Sequence, residues 1–389
     1  MPRRRAVVVV LDGLGAGDAP DTAAFGDEGA NTLSNTAEAV GGVDAPNLQR
    51  LGLGNTTRIE GVPPNNSPEG AWGIAVEKSA SKATLAGHWE MMGLIVEDAL
   101  PTYPDGFPDS IIARFSEETG RSAFGNKPAS GTEILEELGE EQRSSGDWIV
   151  YTSADSVFQI AANTEVIPLE ELYSACEKAH HMLIGEGDIK VERVIARPYH
   201  GSPGAYEREH EHRHDYGIEP FSETYLDRIK AAGHEAVAVG KIRDIFDGKG
   251  LTRHLPAPPD DSAKVDAILE VLPEITSGFV FANLVDFDAK FGHRRDPAGM
   301  AKNIESFDRR LPEVLAALGE EDLLIITADH GNDPTFRGTD HTRELVPLLA
   351  LGGGVTGELG VRDGFSDIGA SVAAWLGVEQ GDLPGRSFI

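Results

Sequence analysis

The feature that most constrains this chain is a set of short apolar runs that do not alternate. Arg5–Leu11 reads RAVVVVL, Gly278–Leu284 reads GFVFANL and Leu323–Thr327 reads LLIIT. A strand with one face in water alternates apolar and polar residues, whereas an unbroken run has both faces covered, as in the interior of a parallel sheet. Further runs lie at Trp148–Thr152 (WIVYT), Val191–Ala196 (VERVIA), Ala236–Val239 (AVAV) and Val346–Leu351 (VPLLAL). Helical patterns separate them, at Asn47–Leu51, Pro108–Thr119, Gly131–Leu138, Leu169–Ile184, Glu219–Ala232, Ser262–Leu272, Pro297–Leu318 and Asp367–Leu376. Strands alternating with helices predict an α/β fold built on a central, mostly parallel sheet sandwiched by helices. Pro- and Gly-rich stretches fall near Gly61–Gly70, Pro101–Pro108 and His200–Gly204, and Arg208–His214 (REHEHRH) is dense in charge and histidine. Residues 99–217 read as a smaller α/β unit inserted into a discontinuous core of residues 1–98 and 218–389.

Three of the covered runs lead into acids: VVVVL into Asp12, FVFANLV into Asp286 and Asp288, and LLIITA into Asp329. In open α/β sheets ligands bind just outside the carboxyl ends of the strands. Acids at the ends of three different strands therefore point to one shared site. Histidines stand beside them: His293 five residues after Asp288, His330 directly after Asp329, and His341 in GTDHTR. Carboxylates with imidazoles form a mixed oxygen and nitrogen donor set, suited to Mn, Zn or Fe more than to Ca or Mg. No thiolate joins them, which excludes a structural cysteine-type zinc site. Six protein ligands exceed what one catalytic ion with an open position takes. They suit two ions about 3.5–4 Å apart, the arrangement that clamps both oxygens of an in-line phosphoryl displacement. Each piece also has a plainer explanation. A strand-end Asp can cap a helix, and Asp-His-Gly can be a turn in which Gly331 supplies a left-handed residue.

Two-metal phosphoryl chemistry commonly uses a hydroxyl nucleophile. The segment Ser79-Ala-Ser-Lys-Ala-Thr-Leu-Ala-Gly-His-Trp-Glu90 offers Ser79, Ser81 and Thr84. Thr84 could equally serve as a helix N-cap, with His88 and Trp89 as packing residues, and the residue types alone do not choose among the three hydroxyls.

Charge narrows the partners. Against 34 Lys and Arg stand 64 Asp and Glu, a formal net charge of −30. A phosphate polymer or an anionic membrane would be repelled by that bulk charge. Of the basic residues 11 are Lys and 23 Arg, and acid excess with few lysines is the balance selected by a saline cytoplasm. The single cysteine, Cys176, rules out an intramolecular disulfide framework and fits a reducing compartment. Arg3 to Leu11 begins like a signal peptide, but its apolar run stops at Asp12, short of the roughly 7–15 residues such a segment needs. Nothing approaches the roughly 18 apolar residues of a membrane helix. A soluble, cytoplasmic protein is expected, with small-molecule partners, no nucleic acid and no membrane.

The strings LDGLGAGDAPD, KATLAGHWEMMG, YTSADSVFQIAA, RPYHGSPGAY, RHDYGIEPF, GKIRDIFDGKG, NLVDFDAKFGHRRDP and ITADHGNDP with GTDHTRE resemble the phosphopentomutases of the alkaline phosphatase superfamily. The resemblance runs nearly end to end and includes the insert. It implies an alkaline-phosphatase-like core with an inserted cap that contributes to substrate binding. It implies two Mn²⁺ ions. Asp12, Asp329 and His330, with the nucleophile oxygen, surround one, and Asp288, His293 and His341 surround the other. Asp286 is then not a ligand. The family pattern places the nucleophile at Thr84, phosphorylated in the working enzyme. Ser153, Asp155 and Val157 should face the sugar, and Arg197, Arg213 and Lys241 should hold the distal phosphate, the Arg fork matching phosphate oxygens bidentately. Without the resemblance, Arg197 and Arg213 would read as surface charges. The chain departs from the pattern where the family carries Asp before the nucleophile and a hydroxyl two residues after it: here stand Ala83 and Ala86. The segment Glu207–His212 is also longer than usual.

The implied reaction interconverts α-D-ribose 1-phosphate, or its 2-deoxy analogue, with the 5-phosphate through a pentose 1,5-bisphosphate. A sugar bisphosphate, glucose 1,6-bisphosphate or ribose 1,5-bisphosphate, would prime the enzyme. A cofactor-independent phosphoglycerate mutase fits less well, since its familiar nucleophile is serine and its chain is longer. A plain phosphomonoesterase would need water where the cap should exclude it. A sugar-phosphate binder without turnover would not need a hydroxyl among the acids and histidines.

Overall fold

The computed structural model describes residues 4–98, 101–153, 156–185, 190–256 and 258–389. The chain divides into two compact units, Met1–Ala99 with Glu219–Ile389, and Leu100–Ile218. The strands in chain order begin with β1 (Arg5–Leu11) and β2 (Ala71–Ala75). Then come β3 (Ala123–Pro128), β4 (Trp148–Thr152), β5 (Val157–Asn163), β6 (Arg193–Ser202), β7 (Ala205–Arg208) and β8 (His214–Gly217). The last are β9 (Glu235–Val239), β10 (Arg253–His254), β11 (Gly278–Leu284), β12 (Asp322–Thr327), β13 (Val346–Gly352) and β14 (Gly357–Arg362).

The larger unit carries an eight-stranded sheet in the order β10-β9-β11-β1-β12-β13-β2-β14. Pairing is parallel from β10 through to β12 and again between β2 and β14, while β13 runs antiparallel to both its neighbours. The sheet is mostly parallel, as the unbroken apolar runs require. β1 sits at its centre and every one of its residues is buried. Even Arg5 is enclosed, because its guanidinium pairs with Asp322 and donates to the Leu272 carbonyl. A buried charge persists only when paired and hydrogen-bonded in this way.

Register is what makes the site. Leu11 pairs with Leu284, and Val10 with Thr327, so β1, β11 and β12 finish together. The acids that follow them emerge at one edge of the sheet. Lys241 follows β9 at the same edge, since Val239 pairs with Ala282. Some elements were hidden from pattern reading. β2 (AWGIA) and β14 (GELGVR) are interrupted by glycine, and β14 is largely exposed. The helix expected over Glu219–Ala232 starts only at Tyr225, because Pro220 precedes it and Thr224 with Asp227 forms a capping box. The helix expected to reach Ile184 ends at His180 and continues as a π-turn over His181–Gly185.

The smaller unit carries a mixed sheet in the order β3-β4-β5-β6-β7, with β8 paired to β6. Its strands alternate faces. Trp148 and Val150 pack with Phe115, Phe158 and Leu172 on one side, while Ile149 and Tyr151 pack with Ile134, Leu135 and Tyr199 on the other. Helices Asp109–Thr119 and Leu169–His180 cover the first face, and Gly131–Ser145 the second. Among the described residues no helix is long and apolar enough to cross a membrane.

Candidate metal and phosphoryl-transfer site

Two groups of three residues in the larger unit are each able to hold a metal ion: Asp12, Asp329 and His330, and Asp288, His293 and His341. Asp12 follows β1, and Asp329 and His330 follow β12. Asp288 and His293 are set by the π-turn Phe287–Gly292 after β11. An antiparallel bridge between Gly331 and Thr342 folds the loop bearing His341 back onto the His330 segment. Gly331 does not have positive φ. It is needed for close approach instead, since a Cβ there would lie 2.2 Å from Glu344 Oε1.

Thr84 opens the helix Thr84–Met91, whose N-cap is Ala83 with no side-chain cap. Thr84 is thus the first helical residue, not the cap. Its Oγ1 lies 3.0 Å from His330 Nε2. Gly87 lets this helix press on the end of β12, because a Cβ there would meet the Asp329 carbonyl oxygen at 2.3 Å. The other two hydroxyls are engaged elsewhere. Ser79 Oγ, fully buried, donates to Glu90 Oε2 at 2.7 Å, and Ser81 Oγ accepts from Ala83 N at 3.1 Å.

The donor geometry fits cations. His293, His330 and His341 each direct Nδ1 at a backbone carbonyl, of Thr339, Gly331 and Lys82, at 2.7, 3.0 and 2.8 Å. A carbonyl only accepts, so Nδ1 carries the proton and the Nε2 lone pair faces inward, the usual fixing of a metal-binding imidazole. Those lone pairs meet other acceptors. His341 Nε2 is 3.2 Å from His293 Nε2, and His330 Nε2 is 3.3 Å from Asp12 Oδ1 and 3.4 Å from Asp329 Oδ2. Asp12 Oδ1 and Asp329 Oδ2 are buried without a hydrogen-bond partner among the described residues. Acceptors converging in this way require positive charge between them.

The electrostatics agree. Burial disfavours a charged imidazole at His330, yet Asp329 and Asp12 raise its pKa to about 10. His293 is likewise lifted to about 9, against burial, by Asp288. Burial works against ionised Asp329, but the charge of His330 brings it down to about 2. Asp12 is raised by burial and by the negative charge of Asp329 and Asp288. Asp288, despite its burial, is held well below the ordinary carboxylate range by His341 and His293. Without metal, protons on the imidazoles take the place of the cations.

Other expected residues fall elsewhere. Asp286 is outside both ligand groups. It accepts from Lys290 at 2.7 Å and exchanges backbone–carboxylate hydrogen bonds with Asp261, which anchors the turn bearing Asp288. In the smaller unit Val157 is buried in β5, Ser153 follows β4, and Asp155 lies outside the described residues. Arg197 is half-buried and donates to Gln159 Oε1 at 2.9 Å. Arg213 is exposed and forks onto Asp215 at 2.7 and 2.6 Å. Both line a small concavity together with Arg208, Tyr151 and His210. Burial lowers the Arg197 pKa, and the neighbouring Arg213 and Arg208 add to this. Three guanidiniums around one concavity make it a ready acceptor of an anion.

Pattern reading missed four supporting residues. Asn332 donates to Asp288 Oδ1 at 2.7 Å, and Asn283 to Asp12 Oδ2 at 2.9 Å. His88 lies 3.1 Å from Asp329 Oδ2, so it belongs to the polar network, whereas Trp89 is buried as a packing residue. Arg343 is buried and binds Glu77, forks onto Asp21, and donates to the carbonyls of Ser79 and Ser81, which fixes the loop before Thr84. Only its place in the TDHTRE string, two residues from His341, could have flagged it.

A family model described as Metalloenzyme superfamily matches residues 4–380. The phosphopentomutase of Desulfitobacterium hafniense (strain DSM 10664 / DCB-2) is 50% identical over 388 residues, covering 99% of this chain and 99% of that one. That of Caldanaerobacter subterraneus subsp. tengcongensis is 51% identical over 372 residues, covering 95% of this chain and 93% of its own. Among solved structures, a Leishmania mexicana phosphoglycerate mutase superposes with a TM-score of 0.53 at 13% identity, covering 99% of this chain and 98% of that one, which speaks for the fold alone. Half of all positions shared end to end, over a sheet that brings three acids and three histidines together, places this chain in the phosphopentomutase family of metal-dependent isomerases.

Proposed function

We propose that the protein interconverts α-D-ribose 1-phosphate, or 2-deoxyribose 1-phosphate, with the 5-phosphate through phospho-Thr84 and a pentose 1,5-bisphosphate. The observation that carries this reading is the Thr84 hydroxyl at the ligand groups, its Oγ1 3.0 Å from His330 Nε2, while Ser79 and Ser81 are engaged elsewhere. Family membership at about half identity supports the reaction class.

Two Mn²⁺ ions, when bound, would neutralise the phosphoryl oxygens and stabilise Thr84 as an alkoxide. Asp12, Asp329 and His330 would hold one, and Asp288, His293 and His341 the other. Thr84 Oγ1 is phosphorylated in the resting cycle. Its P–O bond breaks as the free hydroxyl of the pentose monophosphate takes the phosphoryl group, giving the 1,5-bisphosphate. Thr84 then attacks the other phosphorus of that bisphosphate and regains a phosphoryl group as the isomeric monophosphate leaves. The protonated Nδ1 of each histidine stays on its carbonyl throughout, so the Nε2 atoms keep one orientation. Ser153, Asp155 and Val157 are proposed to contact the sugar, and Arg197, Arg213 and Lys241 to hold the distal phosphate. Glucose 1,6-bisphosphate or ribose 1,5-bisphosphate would prime Thr84. A cytoplasmic location, among soluble pentose phosphates, belongs to the same reading.

The test is a coupled assay on ribose 1-phosphate with Mn²⁺, with and without a bisphosphate primer, with phosphate release followed in the same tube. Ribose 5-phosphate with little free phosphate is expected. Free phosphate as the main product would make the protein a phosphatase.

A further inference from the structure

His88 is fully buried, belongs to neither ligand group, and sits one turn after Thr84 on the same helix. Its two ring nitrogens bridge the helix to the strands that carry the acids. Nε2 lies 3.1 Å from Asn283 Nδ2. The same amide nitrogen donates to Asp12 Oδ2 at 2.9 Å, while Asn283 Oδ1 finds no partner among the described residues. Both hydrogens of the amide are therefore spent, one on each neighbour. Turning the amide over would set its oxygen against the Asp12 carboxylate. Asn283 must donate, so His88 Nε2 must accept, and the ring proton stands on Nδ1. That nitrogen is 2.9 Å from the Thr84 carbonyl oxygen and 3.1 Å from Asp329 Oδ2. The opposite tautomer would oppose N–H to N–H at Asn283 and a lone pair to two oxygens at the other end. The ring is fully buried and packs against Phe281, with centroids 5.6 Å apart.

We propose that His88, held with its ring proton on Nδ1 by Asn283, is a positioning residue that seats the first turn of the Thr84 helix against Asp12 and Asp329. The inference rests on the reading of Thr84 as nucleophile. The chain of constraint runs from Asp12 through Asn283 and His88 to the Thr84 backbone, and no member of it after Asp12 needs to touch metal or substrate. Such supporting contacts typically change metal affinity or activity about 10–100-fold when removed.

The experiment has two arms. The first is ¹⁵N NMR of imidazole-labelled, metal-free protein, with the His88 signals assigned by their loss in His88→Asn. A protonated Nδ1 and an unprotonated Nε2 are expected. The second compares His88→Asn and His88→Gln after Mn²⁺ loading. The asparagine amide can place N–H where Nδ1–H stands, whereas the glutamine amide reaches only the Nε2 position. The first variant should keep kcat within about tenfold, and the second should lose roughly 100-fold, with KM for substrate moving less than about threefold. An Nε2–H or doubly protonated ring would overturn the proposal, as would equal kcat in the two variants. If neither variant folds, the His88 ring signals are assigned by through-bond correlation to its own backbone, and the tautomer in the unaltered protein still decides. Turnover that survived Thr84→Ala would remove the nucleophile reading instead and leave the tautomer result standing.

Discussion

Thr84 Oγ1 and the Nε2 atoms of His293, His330 and His341 have one property in common: each lies within about 3.3 Å of a carboxylate oxygen or another imidazole nitrogen. Two consequences follow at the level of single residues. Thr84→Ala removes the hydroxyl and leaves the three acids and three histidines in place, so turnover should fall by at least about 10⁴-fold while metal binding persists, checked by steady-state kinetics beside metal analysis. The histidines set a pH dependence. Metal-free His330 and His293 titrate at about 10 and about 9, so at neutral pH both are protonated before metal arrives. Metal must displace those protons. Apparent affinity should therefore rise with pH up to about 10, by up to about tenfold per unit for each proton displaced, and fall in acid. Calorimetry in buffers of different ionisation enthalpy would count the protons released. Affinity independent of pH between 6 and 8, with no proton release, would contradict this.

Elements, rather than residues, decide how closely these groups meet. The Thr84–Met91 helix touches the end of β12 only because residue 87 has no side chain. Gly87→Ala places a methyl 2.3 Å from the Asp329 oxygen, so the helix must shift. Overpacking of this kind costs about 1–3 kcal/mol, and a displacement of about 1 Å at the reacting group can cost roughly 100-fold in rate. Denaturant unfolding and kcat measured on the same variant should both fall, with the rate loss the larger. A variant of unchanged activity would mean that the helix does not set the nucleophile. Much of this scale was legible beforehand. Strands buried on both faces, such as β1, β11 and β12, announce themselves by unbroken apolar runs, and the acids at their ends follow directly. β2 and β14 were not legible, because glycine interrupts them and β14 gains its order from pairing rather than burial. His88 and Asn283 were hidden for another reason. They lie 195 residues apart in sequence, and their role exists only once β11 and the Thr84 helix are packed.

For the molecule as a whole, the acidic surface and the anionic substrates pull in opposite directions. A net charge of −30 repels a sugar phosphate at long range. In the proposed reaction, cations at the ligand groups and the guanidiniums of Arg197, Arg208 and Arg213 in the smaller unit would reverse that field locally. Salt screens the repulsion, since the Debye length shrinks to about 3 Å at 1 M. Activity should accordingly persist from low to molar KCl, and inactivation by molar KCl would show that the acid excess has no such role. Whether phosphoryl groups pass through Thr84 on their way between the two ends of a pentose is tested most directly by intact-mass analysis with peptide mapping. The enzyme would be incubated with Mn²⁺ and a sugar bisphosphate, desalted, and digested. One phosphoryl group on Thr84, lost again on addition of ribose 5-phosphate as the bisphosphate forms, is the expected result. An enzyme that turns over while unmodified, or carries its phosphoryl group on Ser79 or Ser81, would contradict it.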